Sequence, residues 1–271
     1  MSAYWEEPDT IQARHQDLAA GVGCFAYFET PPPAVTVHLT FATAGALRRG
    51  SLGETMKEAL IKQIDADREM LIAFLRRFVR CKAPNPPGDT LEAARFVEEE
   101  LGKRQIAYQK IAPAADRPNY IASFETGRPG KHLVLNGHID VFPVESITGW
   151  THDPWGAELV DGKVYGRGAC DMRCGTTASI FAYLYLHSLR DKLNGRLTLT
   201  IVSDEESYGA PGMLYLMKHH REQVLGDVCL NGEPSSPYSV RFGEKGPLWV
   251  RMRTRARGGH GAFVHVSPSA L

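Results

Sequence analysis

Three apolar runs of this sequence break off into side chains of the kind that bind metal. LVLNGHID (133–140) ends in His138 and Asp140. LTIVSDEE (199–206) ends in Asp204, Glu205 and Glu206, and VCLNGE (228–233) ends in Glu233. Open α/β sheets place their sites at the carboxyl ends of strands, so the three ends can meet on one rim. Asp171 joins them, since it follows a hairpin signal and precedes an apolar helix. The consecutive acids Asp204, Glu205 and Glu206 repel one another, and a positive charge beside them would make the arrangement worthwhile.

The rest of the pattern fits such a sheet. REMLIAFLRRFVR (68–80) puts Leu71, Phe74, Leu75, Phe78 and Val79 at helical spacing, and PNPPGD (84–89) breaks the helix. A second helix follows, with Asp89 as N-cap, Glu92 at the capping-box position and Gly102 as its stop. Tyr120 to Phe124 reads as a strand. ELVDGKVYGRG (158–168) reads as a hairpin, because Asp161-Gly162 suits a type I′ turn. TTASIFAYLYLHSL (176–189) is apolar nearly all round and predicts a buried helix. A short helix near Met213 to His219 and a strand-like run from Gly246 to Ala256 complete the alternation. Strands alternating with helices imply an α/β fold with parallel segments.

The rim set is one imidazole with several carboxylates, suited to Zn²⁺, Mn²⁺ or Co²⁺. Two divalent cations would cancel much of the repulsion, and such pairs sit roughly 3.5–4 Å apart, close enough for one carboxylate to bridge them. In an extended segment His138 and Asp140 point the same way, so Asp140 can orient the imidazole. Glu205 and Glu206 are adjacent and along a strand point to opposite sides. One can bind metal while the other stays free as a base. Asp204 is expected to have a structural hydrogen-bonding role.

Other classes of function are disfavoured. The net charge is zero, which gives no general electrostatic case for nucleic acid or an anionic membrane. No apolar run is long enough to span a bilayer. The five cysteines are an odd, sparse set, which predicts a reduced, cytoplasmic protein. Cys170 and Cys174 read as small packing residues rather than a zinc site. GRGACD (166–171) lacks the third glycine of a nucleotide loop and follows a hairpin, which argues against a dinucleotide cofactor.

Taken together, HLVLNGHIDVFP, GWTHDPWGAELVDGKVYGRGACDMRCG, SDEESYG, NGEPSS and GGHGA resemble the M20 metallopeptidases, in the family's order, over roughly residues 56–271. That group includes acetylornithine deacetylase, succinyl-diaminopimelate desuccinylase, aminoacylase and carboxypeptidase G. The resemblance implies a zinc-peptidase-like catalytic domain on a mixed, largely parallel sheet with flanking helices, interrupted by a small α+β lid that dimerises. It implies that two divalent ions, zinc before cobalt or manganese, are held in two places. His138, Asp171 and Glu233 would take one ion, and Asp171 would bridge to a second, which Glu206 also binds. Glu205 would be the general base and Asp140 would orient His138. His260, in GGHGA, would reach a partner subunit's site and steady the oxyanion. The implied activity is cleavage of an amide bond in an N-acyl amino acid or small peptide by metal-activated water, in a homodimer that binds neither nucleic acid nor membrane.

Two departures bear on that expectation. Many members have D-x-K-G-G where this chain has DMRCG, so Arg173 keeps the charge of a lysine and little harm is expected. The family also supplies a last histidine ligand after the lid, and no such motif occurs up to Leu271. The expected organisation is a poorly ordered extension over 1–55, which holds PPP at 31–33. The metal-binding part of a catalytic domain would span 56–242, and a truncated start of the lid 243–271. The alternative is an inactive, truncated remnant that binds metal weakly or dimerises.

Overall fold

The computed structural model describes residues 55–235, 239–241 and 252–255. The chain divides into two compact units, Met1–Pro234 and Ser235–Leu271. The extension expected over 1–55 lies outside the described residues except for Thr55, and so does most of the expected lid segment. Of the strand-like run Gly246 to Ala256 only Met252–Arg255 are described, and they carry no strand.

The described residues of the first unit begin with helix α1 (Met56–Ala66), which buries none of its residues. It is held by a capping box: Thr55 Oγ1 accepts from the Glu58 amide, and the Glu58 carboxylate accepts from the Thr55 amide. Helix α2 (Arg68–Arg80) buries Phe74, Phe78 and Val79, the face its spacing predicts. Helix α3 (Leu91–Lys103) departs from expectation at both ends. Thr90, not Asp89, is the N-cap residue, although the Asp89 carboxylate still accepts the Leu91 amide at 3.2 Å. Glu92 does not close a capping box but accepts the Lys82 amide at 3.0 Å. The helix also runs through Gly102, and Gln105 takes the positive φ of 54° beyond it.

The sheet has five strands: β1 (Gln109–Ala114), β2 (Arg117–Glu125), β3 (His132–His138), β6 (Arg196–Val202) and β7 (Val228–Asn231), in spatial order β1-β2-β6-β3-β7. Its β1-β2-β6 half is antiparallel, and its β6-β3-β7 half is parallel. Strands β4 (Glu158–Val160) and β5 (Lys163–Tyr165) form the separate hairpin, with Asp161 and Gly162 both at positive φ as a type I′ turn requires. Helix α4 (Gly175–Ser188) connects the hairpin to β6, and α5 (Met213–His219) and α6 (Arg221–Val224) connect β6 to β7.

Strand residues alternate between two hydrophobic layers, as a period of two dictates. Tyr120, Ala122, Leu197, Leu199 and Ile201 face α2, α3 and α4, while Ile121 and Val202 face Leu216 and Val224 of α5 and α6. The first layer is anchored by aromatics: the Phe74 ring lies 4.9 Å from Phe96 and 5.0 Å from Phe181, and Phe78 stacks on Phe96 at 5.1 Å. No helix among the described residues is long and apolar enough to cross a membrane.

The parallel half fixes the site. His138 is in register with Val202, and Asn136 with Asn231. Three strands therefore end side by side, each delivering its next residues to the same rim.

Candidate metal centre

His138 closes β3 and is almost fully buried, at 1% exposure. Its backbone is fixed on both sides: the amide donates to Met172 Sδ at 3.3 Å, and the carbonyl accepts from Thr176 Oγ1 at 2.7 Å. Its Nδ1 lies 2.9 Å from the Asp140 carbonyl oxygen and 3.2 Å from Asp140 Oδ1, so one imidazole nitrogen is committed to Asp140. Its Nε2 points at the rim, 3.3 Å from Asp171 Oδ1, 3.3 Å from Glu233 Oε1 and 3.9 Å from Glu205 Oε2.

Each acid reaches the rim by a different local device. Asp171 sits in a wide helical turn, Ala169–Cys174, and it and Met172 leave helical geometry, which turns the carboxylate out to 58% exposure. Glu233 follows β7 across a close backbone approach. A Cβ on Gly175 would lie 1.9 Å from the Gly232 carbonyl oxygen, so α4 and the end of β7 can meet only as glycines. Glu205 and Glu206 do not continue β6 as a strand, contrary to the strand-based expectation, but occupy the turn that follows Val202. Both of their amides donate to Asp140 Oδ2, at 2.9 and 3.0 Å. Glu206 Oε1 also accepts the Phe142 amide at 2.9 Å.

Asp140 therefore touches more than the imidazole. Its Oδ2 accepts a third hydrogen bond, from Asn85 Nδ2 at 2.8 Å. The same amide nitrogen donates to Asp204 Oδ1 at 2.7 Å, and Asn85 Oδ1 accepts from Ser207 Oγ at 2.7 Å. Asp204 is buried and hydrogen-bonded behind the turn that carries Glu205 and Glu206, with Arg117 Nη1 at 3.5 Å. Sequence reasoning treats Asn85 only as part of the PNPPGD helix breaker; its partners lie 55 and 119 residues away.

Two groups of donor atoms lie within 4.8 Å of one another: His138 with Glu205 and Glu233, and His138 with Asp171 and Glu206. His138, Asp171, Glu206, Glu233 and Glu205 thus converge, and Asp140 stands behind them. His260 lies outside the described residues.

The electrostatics are those of a partly buried anionic cluster around one imidazole. Burial, then the neighbouring Asp171, pushes the Glu206 carboxyl up to about 8. Burial also raises Glu205 against the opposing pull of His138, with Glu233, Asp140 and Asp171 adding to the rise. Burial alone would depress His138, but Asp140, Asp171 and Glu233 hold its pKa well above the usual imidazole range. Asp140 stays low despite burial, because His138, Asn85 and the Glu205 amide stabilise its charge. The residues fit a divalent cation on one direct observation: the buried His138 Nε2 has no hydrogen-bond partner and faces carboxylate oxygens. An imidazole with carboxylates is a donor set that zinc accepts. A cavity of about 290 Å³ opens beside the cluster, lined in part by His138, Glu205, Val202, Tyr208 and Met213.

Other singled-out residues serve packing. Arg167 stacks over Trp150 at 5.2 Å and Lys82 over Trp155 at 5.9 Å. Cys174 Sγ donates to the Cys170 carbonyl, and burial pushes its thiol up to about 11. Arg173 is fully buried, donating to the carbonyls of Phe78 and Ile139.

A mixed sheet covered by helices, with an imidazole and carboxylates at the rim of its parallel half, defines the class: an α/β domain with a candidate cation site at its strand ends. Comparison with known proteins narrows this. Residues 134–250 match Peptidase family M20/M25/M40, so this stretch of the chain carries a domain of that family. It is 31% identical over 210 residues to the succinyl-diaminopimelate desuccinylase of Rhodospirillum centenum, covering 74% of this chain and 53% of that protein. It is 37% identical over 158 residues to that of Gluconacetobacter diazotrophicus, covering 56% and 40%. The chain spans about half the length of the curated relatives it matches. Among solved structures, human carnosine dipeptidase 1 superposes with a TM-score of 0.55 at 22% identity, over 66% of this chain and 41% of that one. An M20 metallo-carboxypeptidase of Sulfolobus solfataricus gives 0.52 at 23%, over 60% and 37%. At these identities the structural likeness is one of fold.

Proposed function

We propose that this chain carries the metal-binding part of an amide-bond hydrolase. Its substrate is an N-acyl amino acid or small peptide, and it holds two divalent cations, zinc first. The observation that carries this reading is the buried, unpartnered Nε2 of His138 facing carboxylates at 3.3 Å. His138, Asp171 and Glu233 would hold one ion, with Asp171 and Glu206 reaching the second. When bound, the ions supply positive charge that polarises the scissile carbonyl and eases deprotonation of water.

The chain's own residues do the rest. Glu205 takes a proton from the attacking water as the new C–O bond forms. As the C–N bond breaks, it passes that proton to the leaving amine. Burial and neighbouring acids raise the affinity of Glu205 for a proton, which suits a group that must accept one and hold it. Asp140 fixes the imbalance of roles at His138 by engaging Nδ1, leaving Nε2 for the cation. The adjoining cavity gives space for an acyl group or side chain next to Glu205. His260 is assigned as an oxyanion donor contributed across a homodimer.

Because the curated relatives described above are named desuccinylases, N-succinyl amino acids are the first substrates to assay, followed by N-acetyl amino acids and dipeptides. Cation-dependent release of free amine supports the reading. Absence of turnover on every class with two ions bound would overturn it.

A second reading, weak cation binding without turnover, rests on a different observation. Both donor groups among the described residues draw on the same His138, and one Nε2 can ligate one ion. The second ion is then left with Asp171 and Glu206, fewer than the three protein ligands of a typical catalytic zinc. Metal stoichiometry separates the two readings.

A further inference from the structure

Asn85 lies at the centre of a buried bridge that joins three segments distant in sequence. We infer that it is a positioning residue for the metal centre: its side-chain amide clamps Asp140 to the turn that carries Glu205 and Glu206. This rests on the reading of the rim as a cation site, and it assigns a role to a residue that touches neither cation nor substrate.

The geometry is specific to a carboxamide. Asn85 is 1% exposed, so its polar atoms must find partners inside the protein. Nδ2 has two hydrogens, and both are used, toward Asp140 Oδ2 at 2.8 Å and Asp204 Oδ1 at 2.7 Å. Oδ1 accepts from Ser207 Oγ at 2.7 Å. Both donors and the acceptor act on residues that frame the rim: Asp140 behind the imidazole, and Asp204 and Ser207 on either side of Glu205 and Glu206. The Asn85 amide itself donates to the Val141 carbonyl at 2.9 Å, which ties its backbone to the residue after Asp140.

Charge explains why an amide stands here. Asp140 and Asp204 are buried, at 0% and 1% exposure, and both oxygens that Asn85 reaches are carboxylate oxygens. A neutral double donor lets two buried acids share one neighbour without adding a charge of its own. An aspartate would add a third carboxylate, and a leucine would leave Asp140 Oδ2 with only the amides of Glu205 and Glu206. Asp140 would then be freer to turn, and with it the Nδ1 contact that aims Nε2 of His138.

Two variants and two readouts test this. Asn85→Leu removes the whole clamp, and Ser207→Ala removes only the bond to Oδ1 on a less buried residue. The first readout is amide hydrogen exchange at Glu205 and Glu206 in the metal-free chain, which needs no cation. The second is Co²⁺ affinity and the visible Co²⁺ spectrum, which reports ligand geometry. Asn85→Leu should speed exchange at both amides about tenfold or more and weaken Co²⁺ binding about 10–100-fold with an altered spectrum, and Ser207→Ala should do the same to a smaller degree. If Asn85→Leu does not fold, the graded effect in Ser207→Ala decides. Parental exchange rates together with parental Co²⁺ affinity and spectrum in a folded variant would overturn the inference. Should the parent bind no Co²⁺, the reading of the cation site fails. Exchange then decides the clamp alone, unchanged rates rejecting it and faster rates upholding it as a brace of the turn.

Discussion

Asp140 Oδ2 accepts the backbone amide of Glu205 at 2.9 Å, across 65 residues of sequence. The contact joins the residue that orients His138 to the residue assigned as the base. A carboxylate fixed by an amide is a stronger constraint than two side chains meeting, because it sets the backbone from which Glu205 and Glu206 both project.

Glu205→Gln should lower kcat about 10²–10⁴-fold, the usual worth of a positioned general base, while leaving the metal content unchanged. Initial rates on N-succinyl amino acids, with metal analysis of the same samples, check both halves. Loss of metal along with activity would move Glu205 into the ligand set, where its 3.9 Å approach to His138 Nε2 would place it.

Zinc binding at pH 7 should release protons. In the metal-free chain Glu206, at about 8, and His138, well above its usual range, both hold protons at neutral pH, and ligation requires their removal. Affinity should therefore rise with pH through about 8. Both groups bind protons more tightly folded than unfolded, so they stabilise the metal-free chain at low pH. For Glu206 that contribution is lost as pH rises from 4.5 to about 8. Calorimetric titration in buffers of different ionisation enthalpy measures the proton count. Zero protons released would contradict the electrostatic description.

Gly175→Ala should destabilise the fold by about 1–3 kcal/mol, because a methyl group 1.9 Å from the Gly232 carbonyl forces α4 and β7 apart. In a domain of this size that lowers Tm by about 2–4 °C per kcal/mol. Since Glu233 follows Gly232 directly, cation affinity should fall as well. Thermal melts with and without Zn²⁺ resolve the two effects.

Arg173→Lys should cost about 1–3 kcal/mol in urea unfolding. The guanidinium reaches the carbonyls of both Phe78 and Ile139 and lies 4.9 Å from the Phe78 ring centroid, and an ammonium lacks that fork. The family's frequent lysine at this position therefore does not make lysine equivalent here: the surrounding carbonyls are set for arginine.

Much of the site is legible in the sequence because parallel strands deliver consecutive residues to a common edge. His138, Glu205, Glu206 and Glu233 each follow an apolar run, and Asp171 follows a recognisable hairpin. What is hidden depends on distance or on weak patterning. Strand β1 is mostly exposed and contains Pro113, so it shows no alternation. Helix α1 carries Met56, Leu60 and Ile64 at helical spacing, yet it buries none of its residues, so its pattern points to no core contact. The turn at Glu205 and Glu206 is set by Asp140 rather than by local residue preference, and Asn85 acquires a role only once three remote segments close around it.

The most direct measurement is the zinc content of the chain after equilibrium dialysis, for the parent and for His138→Ala. Two ions per parent chain are expected, with a loss of about 10-fold or more in affinity when the shared imidazole is removed. No bound zinc in the folded parent, or equal uptake by His138→Ala, would contradict a cation site built on the carboxyl ends of these strands.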